Sequence, residues 1–166
     1  MGSYNFGKTE AIEWIKSNFK QGDTCLDVGA CDGKWAKLLD GYLDIEACEI
    51  FLMNIRKNEL ETLYKKVYCC DIKNLEYKYY DLIIFGDVIE HMTVEDAQKS
   101  IKYAWDRCKD MIVVVPYLYY QDEMYGNKYE KHLQPELTPK LFDKRYPGFE
   151  VFWENGEYAY YHKKWN

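Results

Sequence analysis

Apolar residues recur along the chain with two alternating periods. "TEAIEWIKSNF" sets Ala11, Ile12, Ile15 and Phe19 at helical spacing, and "KQGD" ends it. "TCLDVG" reads as a short strand. "GKWAKLLDGYL" follows, with Trp35, Leu38, Leu39 and Tyr42 on one helical face. "IEACEI" is a second strand, "LMNIRKNELETLY" a helix with Leu52, Ile55 and Leu63 roughly aligned, and "KKVYCCD" a third strand. "YDLIIFGDV" is a fourth; its continuous apolar centre suits a strand buried on both faces. "TVEDAQKSIKYAWDRC" is helical, with Thr93 as N-cap and Asp96 in the first turn. "MIVVVPY" is a fifth strand, ended by Pro116.

This alternation predicts an α/β fold: a parallel sheet with right-handed crossovers and helices on both faces, a three-layer sandwich. The tail breaks the rhythm. Residues 117–137 read as a long polar-aromatic loop, and "TPKLFDKRY" as a short helix with Thr138 as N-cap and Pro139 in its first turn. "FEVFWENGEYAYYHKKW" shows two alternating strands around Asn155-Gly156, the strongest short-range hairpin signal. The expected sheet therefore has seven strands and closes with an antiparallel hairpin.

Length fits one domain, residues 1–166. Hydrophobic residues make up 48% and charged residues 30%, enough to build a core and against disorder. The net charge of -6 argues against gripping nucleic-acid phosphates or an anionic membrane surface. No apolar run approaches the ~20 residues that span a bilayer, and "MGSYNFGKTEAIEW" lacks the apolar core of a secretory signal. A cytoplasmic protein is expected. Its six cysteines form no C-x-x-C pair and no zinc-like Cys/His spacing, so they read as reduced thiols and no metal is expected.

In open α/β sheets, ligands bind beyond the carboxyl ends of the strands. Strand one ends in Asp27, Gly29, Ala30, Cys31 and Gly33, where glycines let the backbone turn tightly and approach a ligand. Strand two ends in Glu49 and Ile50; a carboxylate there can accept from two ribose hydroxyls. Strand three ends in Asp71 and Ile72, where a carboxylate can accept from an exocyclic amine or merely cap the "IKNLEY" turn. Strand four ends in "FGDVIEH", carrying Phe85, Gly86, Asp87, Val88, Glu90 and His91. Any one of these has a purely structural explanation. Their occurrence at successive strand ends, in order, does not.

The sequence resembles the class I S-adenosylmethionine-dependent methyltransferases over roughly residues 8 to 165. "LDVGACDGKW" is similar to their first motif, "IEACEI" to the second with Glu49 in the acidic position, and "VYCCDI" to the third with Asp71. "YDLIIFGDVIEHM" is similar to the fourth, in the form of small-molecule and glycan-modifying members. The resemblance implies S-adenosylmethionine as cofactor. It implies Gly29 to Gly33 along the methionine part, Glu49 on the ribose, Asp71 and Ile72 at adenine, and Phe85 to Val88 beside the methyl group. One position departs. The family has glycine where Cys31 stands, so Cys31 is expected at negative φ with its sulfur turned from the methionine tail.

In-line transfer from a sulfonium chiefly needs alignment. A hydroxyl or ammonium acceptor also needs a base, with Asp87, His91 and His132 as candidates. The loop from Tyr117 to Leu137 carries "YGNKYEKHL", similar to a stretch in bacterial methyltransferase-like proteins, and Tyr117, Tyr125 and Asn127 of this loop are candidates for the acceptor site. The Asn/Asp-Pro-Pro-Tyr/Phe motif of amino-directed DNA methyltransferases is absent, which favours a small molecule, glycan or protein acceptor. Three rivals remain: a non-catalytic S-adenosylmethionine sensor or partner subunit, a nicotinamide-dependent oxidoreductase, which would want the missing middle glycine of G-x-G-x-x-G, and a degenerate fold that binds no nucleotide.

Overall fold

The computed structural model describes residues 5–76, 78–124 and 126–164. In chain order these form α1 (Lys8–Asn18), β1 (Thr24–Val28), α2 (Lys34–Leu39), β2 (Asp44–Cys48), α3 (Leu52–Lys57), α4 (Leu60–Leu63), β3 (Val67–Tyr68), β4 (Tyr80–Gly86), α5 (Val94–Trp105), β5 (Cys108–Pro116), α6 (Pro139–Arg145), β6 (Glu150–Glu154) and β7 (Tyr158–Lys164). They make one seven-stranded sheet in the order β3-β2-β1-β4-β5-β7-β6. The first five strands are parallel; β7 runs antiparallel to β5 and to β6.

Period-two alternation within the central strands builds two cores. Leu26, Val28, Ile83, Phe85, Met111, Val113 and Val115 face α5 and α6. Cys25, Leu82, Ile84, Ile112 and Val114 face the other way, onto α1 and α2. With both faces covered, β4 and β5 become the near-continuous apolar runs seen in the sequence. On the α6 side the Phe142 ring stacks on Tyr161 with centroids 3.7 Å apart, fastening β7 to the layer above it. Thr93 Oγ1 accepts from Asp96 N–H and Thr138 accepts from Leu141 N–H, so both expected N-caps form.

The expected helix over 52–64 is instead two short helices. Asn58 leaves the helix to donate its side-chain amide to the Cys31 carbonyl (2.8 Å), and Glu59 follows at φ 50. The second helix also stops early: Asp40 at φ 44 and Gly41 at φ 72 end it at Leu39, so Tyr42 lies beyond it and its hydroxyl donates to the carbonyl of Phe19, the residue just after α1. The hairpin closes through three residues rather than two, with Asn155 Oδ1 accepting from the N–H groups of Glu157 and Tyr158. Among the described residues no helix is long and apolar enough to cross a membrane.

Gly86 ends β4 where Trp35 of α2 crosses beneath it. A Cβ at Gly86 would lie 2.3 Å from Trp35 Nε1. Gly86→Ala is therefore expected to overpack this contact and cost about 1–3 kcal/mol in urea denaturation; an unchanged midpoint would show that Trp35 moves freely.

Candidate active site

The carboxyl ends of β1, β2 and β4 open into a single cleft of about 750 Å³, roofed by the segment after β5. Its walls include Gly29 to Cys31, Glu49, Asp71, Gly86 to Val88 and Glu90 to Met92. Across from these stand Asn127, Tyr129, Glu130 and His132.

The β1 wall is shaped by one carboxylate. Glu49 Oε2 accepts from Cys31 N–H and Glu49 Oε1 from Phe51 N–H, both at 2.8 Å. Burial holds the Glu49 carboxyl above the usual range against these two backbone donors. Cys31 adopts φ 46, contrary to the negative φ expected of it. Left-handed backbone costs a non-glycine residue about 1–2 kcal/mol. Here it is held from both sides, by Glu49 on the amide and Asn58 on the carbonyl. Cys31 lines the cleft, and burial with the nearby charges of Glu130, Asp32 and Glu49 pushes its thiol up to about 12. It is therefore an inert thiol, and the space left beside it still falls within the ~300–1,000 Å³ of ordinary ligand pockets.

The β4 wall turns on Asp87, at φ 61. The Tyr158 hydroxyl donates to Asp87 Oδ1, and Lys8 Nζ lies 3.8 Å from Oδ2. Lys8 is itself buried, 4.4 Å over the Trp35 ring; desolvation lowers its pKa and Asp87 opposes that shift. One acid thus ties α1, β4 and β7 together beneath the cleft. At the β3 end, Asp71 both lines the cleft and caps the following turn, accepting from Lys73 N–H at 2.9 Å.

The far wall is the loop after β5, clamped onto the 3-10 turn Ile89–His91. The Glu90 carbonyl accepts from Leu133 and Gln134 N–H, and the Gln134 side chain donates to the carbonyls of Ile89 and Met92. This brings the His91 and His132 rings to 4.6 Å, edge to face. His91 Nδ1 lies 3.3 Å from the Lys131 carbonyl and His132 Nδ1 2.8 Å from that of Tyr119. A carbonyl only accepts, so each Nδ1 carries a proton, and a neutral ring then has its lone pair on Nε2; His91 also bonds the backbone of Glu130. Burial lowers both imidazole pKa values.

No protein-family model matches the sequence, and comparison with curated proteins gives no match. Solved structures do match. An S-adenosylmethionine-dependent methyltransferase from Clostridium acetobutylicum ATCC 824 superposes with TM-score 0.73 at 15% identity, over 98% of this chain and 92% of that one. The DhpI-SAM-HEP complex gives 0.74 at 12% identity, over 94% and 84%. Magnesium protoporphyrin IX methyltransferase (ChlM) from Synechocystis PCC 6803 with bound SAM gives 0.67 at 14%, over 98% and 85%. The fold is that of the class I S-adenosylmethionine-dependent methyltransferases.

Within this methyltransferase fold, nine of the residues expected to bind cofactor line the cleft: Gly29, Ala30, Cys31, Glu49, Ile50, Asp71, Gly86, Asp87 and Val88. Four do not. Ile72 and Phe85 are buried in the core below. Gly33 packs on Leu63 and Leu60 of α4, where a Cβ would meet Leu63 at 2.5 Å. Asp27 lies under the floor, accepting from the Tyr64 hydroxyl at 2.5 Å. Asp87, His91, His132 and Asn127 all line the cleft. Tyr117 turns away to pair its hydroxyl with Tyr161, and Tyr125 lies outside the described residues. Sequence reasoning missed Lys8, Trp35 and Tyr158. Lys8 carries a signal in hindsight: a lysine on the face of an amphipathic helix that otherwise reads Ala11 and Ile15.

Two predictions follow from the buried acids. Asp27 is pushed up to about 7, first by desolvation, with the Tyr64 hydroxyl opposing. An unfolded Asp ionises near 3.9, so the native state binds more protons between about pH 4 and 7. Stability is then greatest below pH 4 on this account and falls as pH rises towards 7, by up to about 4 kcal/mol. Asp27→Asn should flatten this slope in urea titrations between pH 5 and 8; an unchanged slope would assign it elsewhere. Glu49→Ala should cost about 1–3 kcal/mol without any ligand, because two inward-facing N–H groups lose their acceptor; calorimetry checks this.

Proposed function

We propose that the chain is an S-adenosylmethionine-dependent methyltransferase acting on a small-molecule, glycan or protein acceptor. The observation that carries this reading is the placement of Glu49 and Asp71, at the ends of adjacent strands β2 and β3, on one cleft with the Gly29–Cys31 turn. Glu49 accepts from the backbone N–H groups of Cys31 and Phe51 and from the Asn54 side chain, which leaves its carboxylate one acceptor position for a ribose hydroxyl. Asp71 supports the purine end, and the Gly29–Cys31 turn the amino-acid end. Among the described residues, the lining carries seven Asp or Glu against two Lys, a field that favours a cationic ligand.

Bound there, S-adenosylmethionine supplies an electrophilic methyl on a sulfonium. The chain's residues then align the acceptor and keep water out. Asp87 is engaged by Tyr158 and Lys8, so it shapes the site more than it takes a proton. His91 and His132 offer Nε2 lone pairs for a proton from a hydroxyl or ammonium acceptor. We assign acceptor selection to residues 117–137, including Asn127, whose side-chain oxygen accepts from Tyr129 N–H and fixes the roof. The net charge of -6 supports an acceptor other than nucleic acid. Six free thiols, with the Cys48 and Cys70 sulfurs in hydrogen-bonding contact at 3.8 Å rather than joined as a disulfide, support residence in a reducing cytoplasm.

The test is thermal stability with S-adenosylmethionine, S-adenosylhomocysteine and NAD in parallel. Ligand at 100 times its Kd adds about 2.7 kcal/mol. Both adenosyl ligands should stabilise and NAD should not; the reverse defeats the reading. Asp71→Ala should weaken the adenosyl ligands about tenfold. Formation of S-adenosylhomocysteine with candidate acceptors separates an enzyme from a sensor.

A further inference from the structure

The cluster of Glu90, His91 and His132 holds more lone pairs than a proton relay needs. One ligand atom from each lies within 4.8 Å of the other two, on the acceptor side of the cleft. We propose that these three side chains bind one divalent transition-metal cation of the zinc, cobalt, iron or manganese type.

Three independent features support this. First, Glu90 is only 1% exposed, and its Oε2 has no hydrogen-bond partner. A buried carboxylate is normally paired, hydrogen-bonded or metal-bound, and the nearby buried cation, Lys8, is already placed on Asp87. Second, both imidazoles have Nδ1 fixed on backbone carbonyls of the same loop, Lys131 and Tyr119. Metal-binding histidines are held in this way, with one ring nitrogen on a carbonyl so that the other can coordinate. Third, the donor set of two imidazoles and one carboxylate suits borderline cations and leaves open positions, as catalytic sites do. Bonds of ~2.0–2.2 Å place ligand atoms on the order of 3–4 Å apart. The cluster therefore needs to close by about 1 Å, within the reach of side-chain adjustment.

No sequence spacing announces such a site. His91 and His132 belong to different loops, and they meet because the Glu90 carbonyl captures Leu133 and Gln134. The open positions would face the cleft and take an oxygen of the acceptor, which restricts acceptors to those with a coordinating oxygen. That role rests on the methyltransferase reading; metal binding itself does not.

The experiment uses the full chain, stripped with chelator and titrated with Co2+ alone, without S-adenosylmethionine. Expected are one equivalent bound, visible ligand-field absorption without a thiolate charge-transfer band, and two paramagnetically shifted imidazole N–H proton signals. His132→Ala and His91→Ala, folded by circular dichroism, should each raise the Kd at least about tenfold. No saturable uptake, a thiolate band, or uptake unchanged in either folded variant overturns the proposal. If the variants do not fold, the wild-type proton spectrum decides, since absence of the two shifted signals also overturns it. Adenosyl-ligand stabilisation measured on the stripped protein tells failure of this site apart from failure of the methyltransferase reading.

Discussion

The cleft exists because both central strands end in left-handed backbone. Gly29 follows β1 at φ 72 and Asp87 follows β4 at φ 61, and these strands pair from Cys25↔Leu82 to Val28↔Phe85. Two neighbouring strands thus bend away at one level and leave a crevice between their continuations. Glycine adopts such a conformation freely, whereas Asp87 does so at a cost. The Tyr158 hydroxyl and Lys8 help offset that cost. The site is therefore built on a local conformation that distant elements, α1 and β7, must support.

The same logic governs the second turn. Cys31 is held left-handed by a carboxylate from β2 and an amide from the end of α3. Glu49 is at once a candidate ligand group and the acceptor that keeps the turn in shape. Binding and architecture share one residue, as is common where strain is kept near a site.

Most of the architecture was readable from period alone. Strands β4 and β5 are continuous apolar runs, α5 and α6 bring their own caps, and Asn155-Gly156 announces the hairpin. The strand-end wall of the cleft was readable because it follows the strand ends in order, so position in the chain maps onto position in space. What failed was of another kind. The break between α3 and α4 comes from Asn58 reaching Cys31, a tertiary bond that outweighs helical propensity. Asp27 reads as a ligand group, but its alternation phase points it down to Tyr64. The acceptor side depends on the pairing of residues 89–92 with 131–134, which no local pattern encodes.

β7 is the last strand in chain order, yet it inserts beside β5 and delivers Tyr158 to Asp87. During synthesis, β1 to β5 emerge before Tyr158, the residue that secures Asp87. A nascent chain that has reached only Arg145 carries the motifs but lacks the tyrosine that stabilises Asp87. The fold thus makes support of Asp87 wait on completion of the hairpin.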